Sequence, residues 1–447
     1  MGQSLPPSNQ GIRHVNTSPR YSPSIPVAFD QRVLGTRDLF SFWFSLGLGL
    51  MVLQTGALLA PGLGGGDALL AILLGTGVGV LLLGAAALIG SDTGLSSMAA
   101  MKLSLGSAGA SLPALLNLLQ LVGWGAFEII VMRDAASLLA SRSFGEQGAW
   151  TSPLLWTLVF GGLATLLAVA GPLAFVRRIL RRWGIWLLLG ACLWLTWDLL
   201  RRADLGAILA RAGDGSMGFA LGFDIAIAMP LSWLPLIADY TRFGRRGSGV
   251  FVGSALGFFV GCLWLMSLGV AYTLVFAEGS DANALLLALA GAGMGIPLLL
   301  VLLDESEKAF ADIHSAAVSA GILLPLKVEQ LALAIGVLCT LIAAFAPLAE
   351  YQNFLLLIGS VFAPLFGVVL VDHFILRQRR AELAPRRVLR WDTLVAWGCG
   401  VALYHLLAAR WPELGATLPA LLLAGGLQVL LGSLSRGRGS IGASVSR

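Results

Sequence analysis

The feature that most constrains this chain is a train of apolar stretches, each about as long as a bilayer is thick. A hydrocarbon core about 30 Å across needs about 20 apolar residues per helix. From Leu39 onward, segments of that kind fall near 39–61, 67–90, 110–139, 153–171, 183–199, 217–238, 250–276, 297–324, 330–348, 352–375, 391–410 and 415–433. Twelve such segments predict an all-α polytopic membrane protein. Composition agrees: only 12% of residues are charged and 57% are hydrophobic, against about 25% charged in a soluble domain. A soluble enzyme, a disordered scaffold and a secreted disulfide protein are excluded.

The basic residues predict an orientation. A cytoplasmic N-terminus places Arg13, Arg20, Arg32, Arg37, Lys102, Arg177, Arg178, Arg181 and Arg182 on that side. Arg242, Arg245, Arg246, Lys327, Arg377, Arg379, Arg380, Arg386, Arg387, Arg390, Arg436, Arg438 and Arg447 join them. The opposite side receives Arg142, Arg201, Arg202, Arg211 and Arg410. Most of the 29 Lys and Arg are then inside, as the positive-inside rule requires, with both termini cytoplasmic in a bacterial-type inner (plasma) membrane. Residues 1–37, rich in Pro, Ser and Arg, read as a disordered cytoplasmic tail rather than a signal peptide, and 435–447 as a cytoplasmic C-tail. The Arg clusters read as loops facing anionic lipid, not as a nucleic-acid surface. Cys192, Cys262, Cys339 and Cys399 stand singly in apolar spans, lack metal-ligand spacing, and are expected to be small core residues.

Charge inside a span is costly and points to a pathway or a binding site. In the eighth span, Asp304, Glu305, Lys308, Asp312, Ser315 and Ser319 fall within one arc of roughly 100° at ~100° per residue. Lys308 and Asp312 are one turn apart and can pair; Glu307 and His314 lie on another side. A competing reading ends the span near Asp304 and makes 305–312 an aqueous loop, but Ala309 to Leu326 is too short and too rich in small residues to span alone. In the third span, Asn117, Gln120, Trp124 and Glu128 share an arc of roughly 80°. They offer an aromatic face for a planar ring and an amide that both donates and accepts. The competing reading, an interfacial Trp beside a helix-packing Gln, is weakened by the mid-span position of Trp124.

The sixth span runs Met229-Pro230-Leu231-Ser232-Trp233-Leu234-Pro235, and its two prolines free upstream carbonyls. In lipid such a break survives only where it lines protein or a cavity. The first span is the expected counterpart, with Gly47, Gly49 and Gly56 around Leu50 to Thr55 and the polar pair Gln54-Thr55. Each alone reads equally well as a harmless kink. Interruptions in the first helix of each half are the best sequence pointer to an inverted-repeat transporter site. No nucleotide-binding loop, zinc spacing or nucleophile elbow occurs, which argues against ATP-driven transport and against an enzyme. A channel or an intramembrane sensor is the alternative of another class.

These residues carry a resemblance. Gln120-Leu121-Val122-Gly123-Trp124, Met229 to Pro235 with Asp239-Tyr240-Thr241-Arg242, and Phe310-Ala311-Asp312-Ile313-His314-Ser315 are similar to the nucleobase–cation symporter-1 family. They resemble most its cytosine and hydroxymethylpyrimidine permease branch, over most of 38–375, with Gln54-Thr55-Gly56-Ala57 also similar. The resemblance implies a leucine-transporter-like core of two inverted five-helix repeats, 38–200 and 217–375, with broken helices 1 and 6 and two additional helices over 391–434. It implies alternating access driven by a cation gradient, with no cofactor beyond Na+ or H+ as the coupling ion, and a small-molecule substrate within the bilayer.

Carried onto this chain, the resemblance assigns ring stacking to Trp124 with Gln120 beside it, and backbone groups of Met229 and Pro230 with the Ser232 side chain to the sixth-span break. Gln54 is a further candidate, and the family's eighth-span Asn falls on Asp312. A carboxylate accepts hydrogen bonds unless protonated, so it suits the amino group and a protonated ring nitrogen of a 4-aminopyrimidine. The favoured substrate is 4-amino-5-hydroxymethyl-2-methylpyrimidine, a thiamine precursor, then cytosine; purine, allantoin, hydantoin or amino-acid transport on the same fold is the alternative. A Na+ position is implied between first-span carbonyls, with Gly47 and Leu50 as candidates, and eighth-span residues mapping to Leu303, Ser306 and Glu307. A proton-carrying cluster of Glu307, Lys308 and Asp312 competes with it. Asp372-His373 and Arg133-Asp134 read as paired interface charges; Asp198 and Asp224 carry no assignment.

Overall fold

The computed structural model describes residues 25–170, 185–276, 285, 295–321, 324, 326–376 and 388–444. Among them every regular element is helical: α1 (Thr36–Gly47), α2 (Leu50–Ala57), α3 (Gly65–Thr93), α4 (Ser97–Leu105), α5 (Ser111–Phe144), α6 (Pro153–Ala170), α7 (Ile185–Arg202) and α8 (Leu205–Ala210). There follow α9 (Phe219–Ser232), α10 (Ile237–Thr241), α11 (Gly247–Phe276), α12 (Gly295–Ala320), α13 (Val328–Phe345), α14 (Tyr351–Leu370), α15 (Trp391–Arg410) and α16 (Thr417–Ser444). Arg13, Arg20, Arg177, Arg178, Arg181, Arg182, Arg377, Arg379, Arg380, Arg386, Arg387 and Arg447 lie outside the described residues.

Each of the twelve expected segments coincides with a helix or a helix pair. Among the described residues nine helices are long and apolar enough to cross a membrane, or ten if α1 and α2, bent by 57° at their junction, form one span. The fifth and eighth segments are helices of 18 and 26 residues. They miss that test through charge: Asp198, Arg201 and Arg202 in α7, and Asp304, Glu305, Glu307, Lys308 and Asp312 in α12.

The packing carries the internal symmetry. Number the spans 1 to 10, with α1–α2 as span 1, α9–α10 as span 6 and α14 as span 10. Span 1 packs on span 7, and span 6 on span 2; span 3 packs on 4 and 9, and span 8 on 9 and 4. Within these pairs, exchanging each span with its counterpart five places along the chain returns the same set, as two inverted five-helix repeats require. Small residues allow the close pairs. Along α11, β-carbons at Gly253 and Gly261 would come within 2.6 and 2.8 Å of the Thr36 and Phe44 carbonyls of α1. Where water cannot drive helices together, such backbone approach does. α15 and α16 pack on α14 as an appended pair.

Several expectations change. Residues 25–35 do not hang free: Val27 N–H donates to Gly94 O at 2.9 Å, and Arg32 is buried, its guanidinium on the Ser91 carbonyl. α16 runs on to Ser444, so the backbone of 435–444, within the expected C-tail, is helical. Cys399 is exposed; the other three cysteines are buried as expected. The first-span break falls at Leu48-Gly49, and Gln54-Thr55 lies inside α2.

The stray membrane charges act as ties. Asp224 accepts from the Ala416 and Thr417 amides (2.7 and 3.2 Å) and so caps the start of α16. Arg133 pairs with Asp134 at 2.7 Å and donates to the Ala343 and Ala346 carbonyls that end α13. Asp198 pairs with Arg202, Asp372 with Arg390 (both 2.8 Å), and His373 with Asp92 at 3.1 Å.

Candidate substrate site and the break in the first span

The polar face of α5 organises the centre of the molecule. Asn117, Gln120, Trp124 and Glu128, about a turn apart, are each at least nine-tenths buried. Each of the last three reaches a different element.

Gln120 reaches the sixth-span interruption. α9 continues through Pro230 and stops at Ser232. Beyond it the Leu236 amide turns to the Trp233 carbonyl (3.0 Å) rather than to Ser232. The carbonyl thus released is taken by Gln120 Nε2 at 2.8 Å. That bond orients the amide, and leaves buried Gln120 Oε1 without a hydrogen-bond partner. The Ser232 hydroxyl donates to the Met229 carbonyl at 2.7 Å, so these two candidates already engage one another. The Pro230 ring faces α3, where a β-carbon at Gly79 would overlap it.

Trp124 reaches an aromatic corner. Its ring meets Tyr351 and Phe354 edge-on, at 5.9 and 5.3 Å between centroids, and Phe127 lies 5.5 and 5.1 Å from the same two rings. The Tyr351 hydroxyl stands 2.8 Å from the Thr55 hydroxyl and donates to the Met51 carbonyl at 3.2 Å, which ties α14 to α2. It also lies 3.5 Å from Met229 Sδ. Gln54, one residue before Thr55, is buried as well.

Glu128 reaches the eighth span, where its carboxyl stands beside that of Asp312. The structure therefore links Gln120, Trp124, Met229, Ser232 and Asp312 through one helix face, together with Thr55, Phe127, Tyr351 and Phe354. Composition and spacing gave no sign of Tyr351, the first residue of α14; an aromatic heading an apolar span carries no periodic signal.

The first-span break is built from charge. Glu305 Oε1 accepts from the Leu50 amide at 2.7 Å, and Lys308 Nζ donates to the Leu48 carbonyl at 3.0 Å and to Glu305 Oε1 at 3.1 Å. Glu305 is fully buried, while the Lys308 side chain is 21% exposed. The carboxylate stands at the N-terminal end of α2 and the ammonium at the C-terminal end of α1, each facing a helix end of opposite partial charge. A β-carbon at Gly49 would land on the ammonium, which is the steric reason for glycine here.

The expected cation residues are arranged otherwise. The carboxylate at the break is Glu305, and Glu307 is about 200° around the helix from it. Lys308 pairs with Glu305, though Asp312 also feels its charge. The Ser306 hydroxyl donates to the Leu302 carbonyl at 2.9 Å and lies 3.2 Å from Met132 Sδ, toward α5. Gly47 packs on α11, its β-carbon position 3.0 Å from Gly261 Cα and Phe258 O. Leu50 contributes its amide. The Leu303 side chain lies outside the described residues.

Comparisons with known proteins follow this geometry. The sequence profile of a family described as permeases for cytosine/purines, uracil, thiamine and allantoin matches residues 26–426. The cytosine permease of Escherichia coli K12 is 23% identical over 380 residues, covering 83% of this chain and 86% of that protein. The putative purine-cytosine permease YxlA of Bacillus subtilis 168 is 24% identical over 394 residues, covering 82% and 83%. The inward-facing structure of Mhp1 superposes with a TM-score of 0.77 at 16% identity, over 93% of this chain and 94% of that one. Mhp1 in a closed conformation with bromovinylhydantoin, described as a nucleobase-cation-symport-1 family transporter, gives 0.73 at 17% identity, over 93% and 95%. A Na+-coupled sialic acid symporter gives 0.56 at 10% identity, over 91% and 90%. The shared fold, the matched profile and the helix exchange symmetry together make this chain a transporter and not an enzyme, a polytopic all-α member of the nucleobase–cation symporter-1 family.

Proposed function

We propose that the chain imports a 4-aminopyrimidine across the plasma membrane by cation-coupled alternating access, with 4-amino-5-hydroxymethyl-2-methylpyrimidine preferred over cytosine. Both termini are cytoplasmic in this reading, supported by the sidedness of the basic loops. The observation that carries the substrate class is the excess of acceptors beside Trp124. Gln120 gives one N–H to Ser232 O and keeps buried Oε1 for a ligand. Glu128, one turn further along the α5 face, and Asp312 beside it on α12 offer further carboxyl oxygens. An exocyclic amino group supplies donors to this set, and a protonated ring nitrogen adds one more. Cytosine also carries a ring carbonyl, an acceptor set against acceptors, which places it second. Trp124 supplies a face for the ring, with Tyr351, Phe354 and Phe127 buttressing it.

The test is binding of hydroxymethylpyrimidine, cytosine, uracil, adenine and hydantoin to the purified protein. The expected order is hydroxymethylpyrimidine, cytosine, then the rest; preference for uracil or hydantoin overturns the reading. Asp312→Asn is expected to weaken aminopyrimidine binding roughly tenfold, the scale of one charge-assisted hydrogen bond, and hydantoin binding less. Equal losses would assign Asp312 to structure or coupling instead.

A further inference from the structure

We infer that Lys308 is a resident cation: its ammonium holds, at the first-span break, the place a coupling Na+ would take, and the protein works without Na+. The inference rests on the reading of the chain as a cation-coupled transporter. A broken helix inside a membrane exposes carbonyls at one end and amides at the other, and something charged or polar must meet them. Here both ends are met from α12 by one ion pair. Lys308 Nζ sits 3.0 Å from the Leu48 carbonyl that closes α1, and Glu305 Oε1 sits 2.7 Å from the Leu50 amide that opens α2.

An ordinary i,i+3 pair on α12 needs neither contact. This one straddles the break, each partner bonded to backbone on its own side of Leu48-Gly49, and they are 3.1 Å from each other. Gly49 is part of the fit, since its missing side chain is the space that the ammonium and Glu305 Oε1 occupy. A Na+ entering here would face a unit positive charge at contact range in a site of low polarisability, where like charges repel strongly. The eighth-span hydroxyl best placed by sequence to hold Na+, Ser306, bonds instead to its own helix at Leu302 O and lies against Met132 on α5. With the cation supplied by the chain, the Na+ gradient does no work on the cycle.

The experiment needs no knowledge of the substrate. Thermal unfolding of the purified full chain is compared in NaCl and KCl of equal ionic strength. Wild type is expected to melt at the same temperature in both; a saturable stabilisation specific to NaCl overturns the inference. Lys308→Ala, which opens the position and leaves Glu305 and Leu48 O facing it, is expected to acquire a Na+-specific rise of about 2 °C or more, the scale of occupancy well above the dissociation constant. Lys308→Arg keeps a cation there and is expected to stay indifferent. A folded Lys308→Ala protein that ignores Na+ also overturns the inference. Should Lys308→Ala fail to fold, the wild-type comparison decides alone. Failure of every pyrimidine to bind would remove the proposed function and leave this result standing.

Discussion

The two interruptions, one in the first helix of each repeat, are solved by opposite chemistry. At Leu48-Gly49 the chain bends by 57°, and its exposed backbone is met by a formal ion pair, Glu305 and Lys308. After Ser232 the sixth span carries on through the turn Trp233–Leu236 into α10, and the released Ser232 carbonyl is met by the neutral amide of Gln120. Around it lie rings: Trp233 packs on Trp43 at 5.7 Å. The symmetry of the fold does not extend to the polarity of its breaks. One break is met by charge; the other, beside Trp124, is met by a neutral amide.

That contrast can be broken at its charged end first. Glu305→Ala leaves the Leu50 amide and the Lys308 ammonium without their shared carboxylate. The expected cost is about 3 kcal/mol, the low end for a broken buried pair because Lys308 keeps 21% exposure, read as a lower unfolding midpoint. Gly49→Ala drives a methyl group into the ammonium's position and is expected to cost about 2 kcal/mol by the same assay, as overpacking does. A neutral outcome for both would mean that the ion pair is incidental to the bend. Trp124→Ala should weaken ring binding roughly tenfold, the scale of one base–aromatic contact, measured by titration; unchanged affinity would move the ring elsewhere. Gln120→Leu removes a neutral hydrogen bond to Ser232 O and should cost only about 1 kcal/mol in stability. A loss as large as that of Glu305→Ala would erase the distinction between the breaks.

Much of this was legible before any coordinates. Apolar lengths located the helices, and the polar arcs of Asn117, Gln120, Trp124 and Glu128, and of Glu305, Lys308 and Asp312, named the two faces that meet. Helical periodicity reports which residues share a face. It does not report what they meet. Pairing Lys308 with Asp312 was sound by spacing, yet the ammonium goes to Glu305 and Leu48 O because the break of another span supplies an unsatisfied carbonyl there. The break was expected where Gly47, Gly49 and Gly56 flank Leu50 to Thr55, and it falls at the first pair of these, at Leu48-Gly49, while α2 runs unbroken through Gln54-Thr55. Gly56 serves close approach to Met266 on α11, and only Gly49 serves the bend. Glycine in a sequence marks both uses identically.

By itself the sequence determined the solvent, the helix count and the family, because burial in lipid imposes long apolar runs and family motifs are local. Tertiary structure alone decided which carbonyls are freed and which side chains answer them. Those are contacts between spans up to 300 residues apart, as between Tyr351 and Met51, and no local pattern encodes the distance across which a hydrogen bond closes.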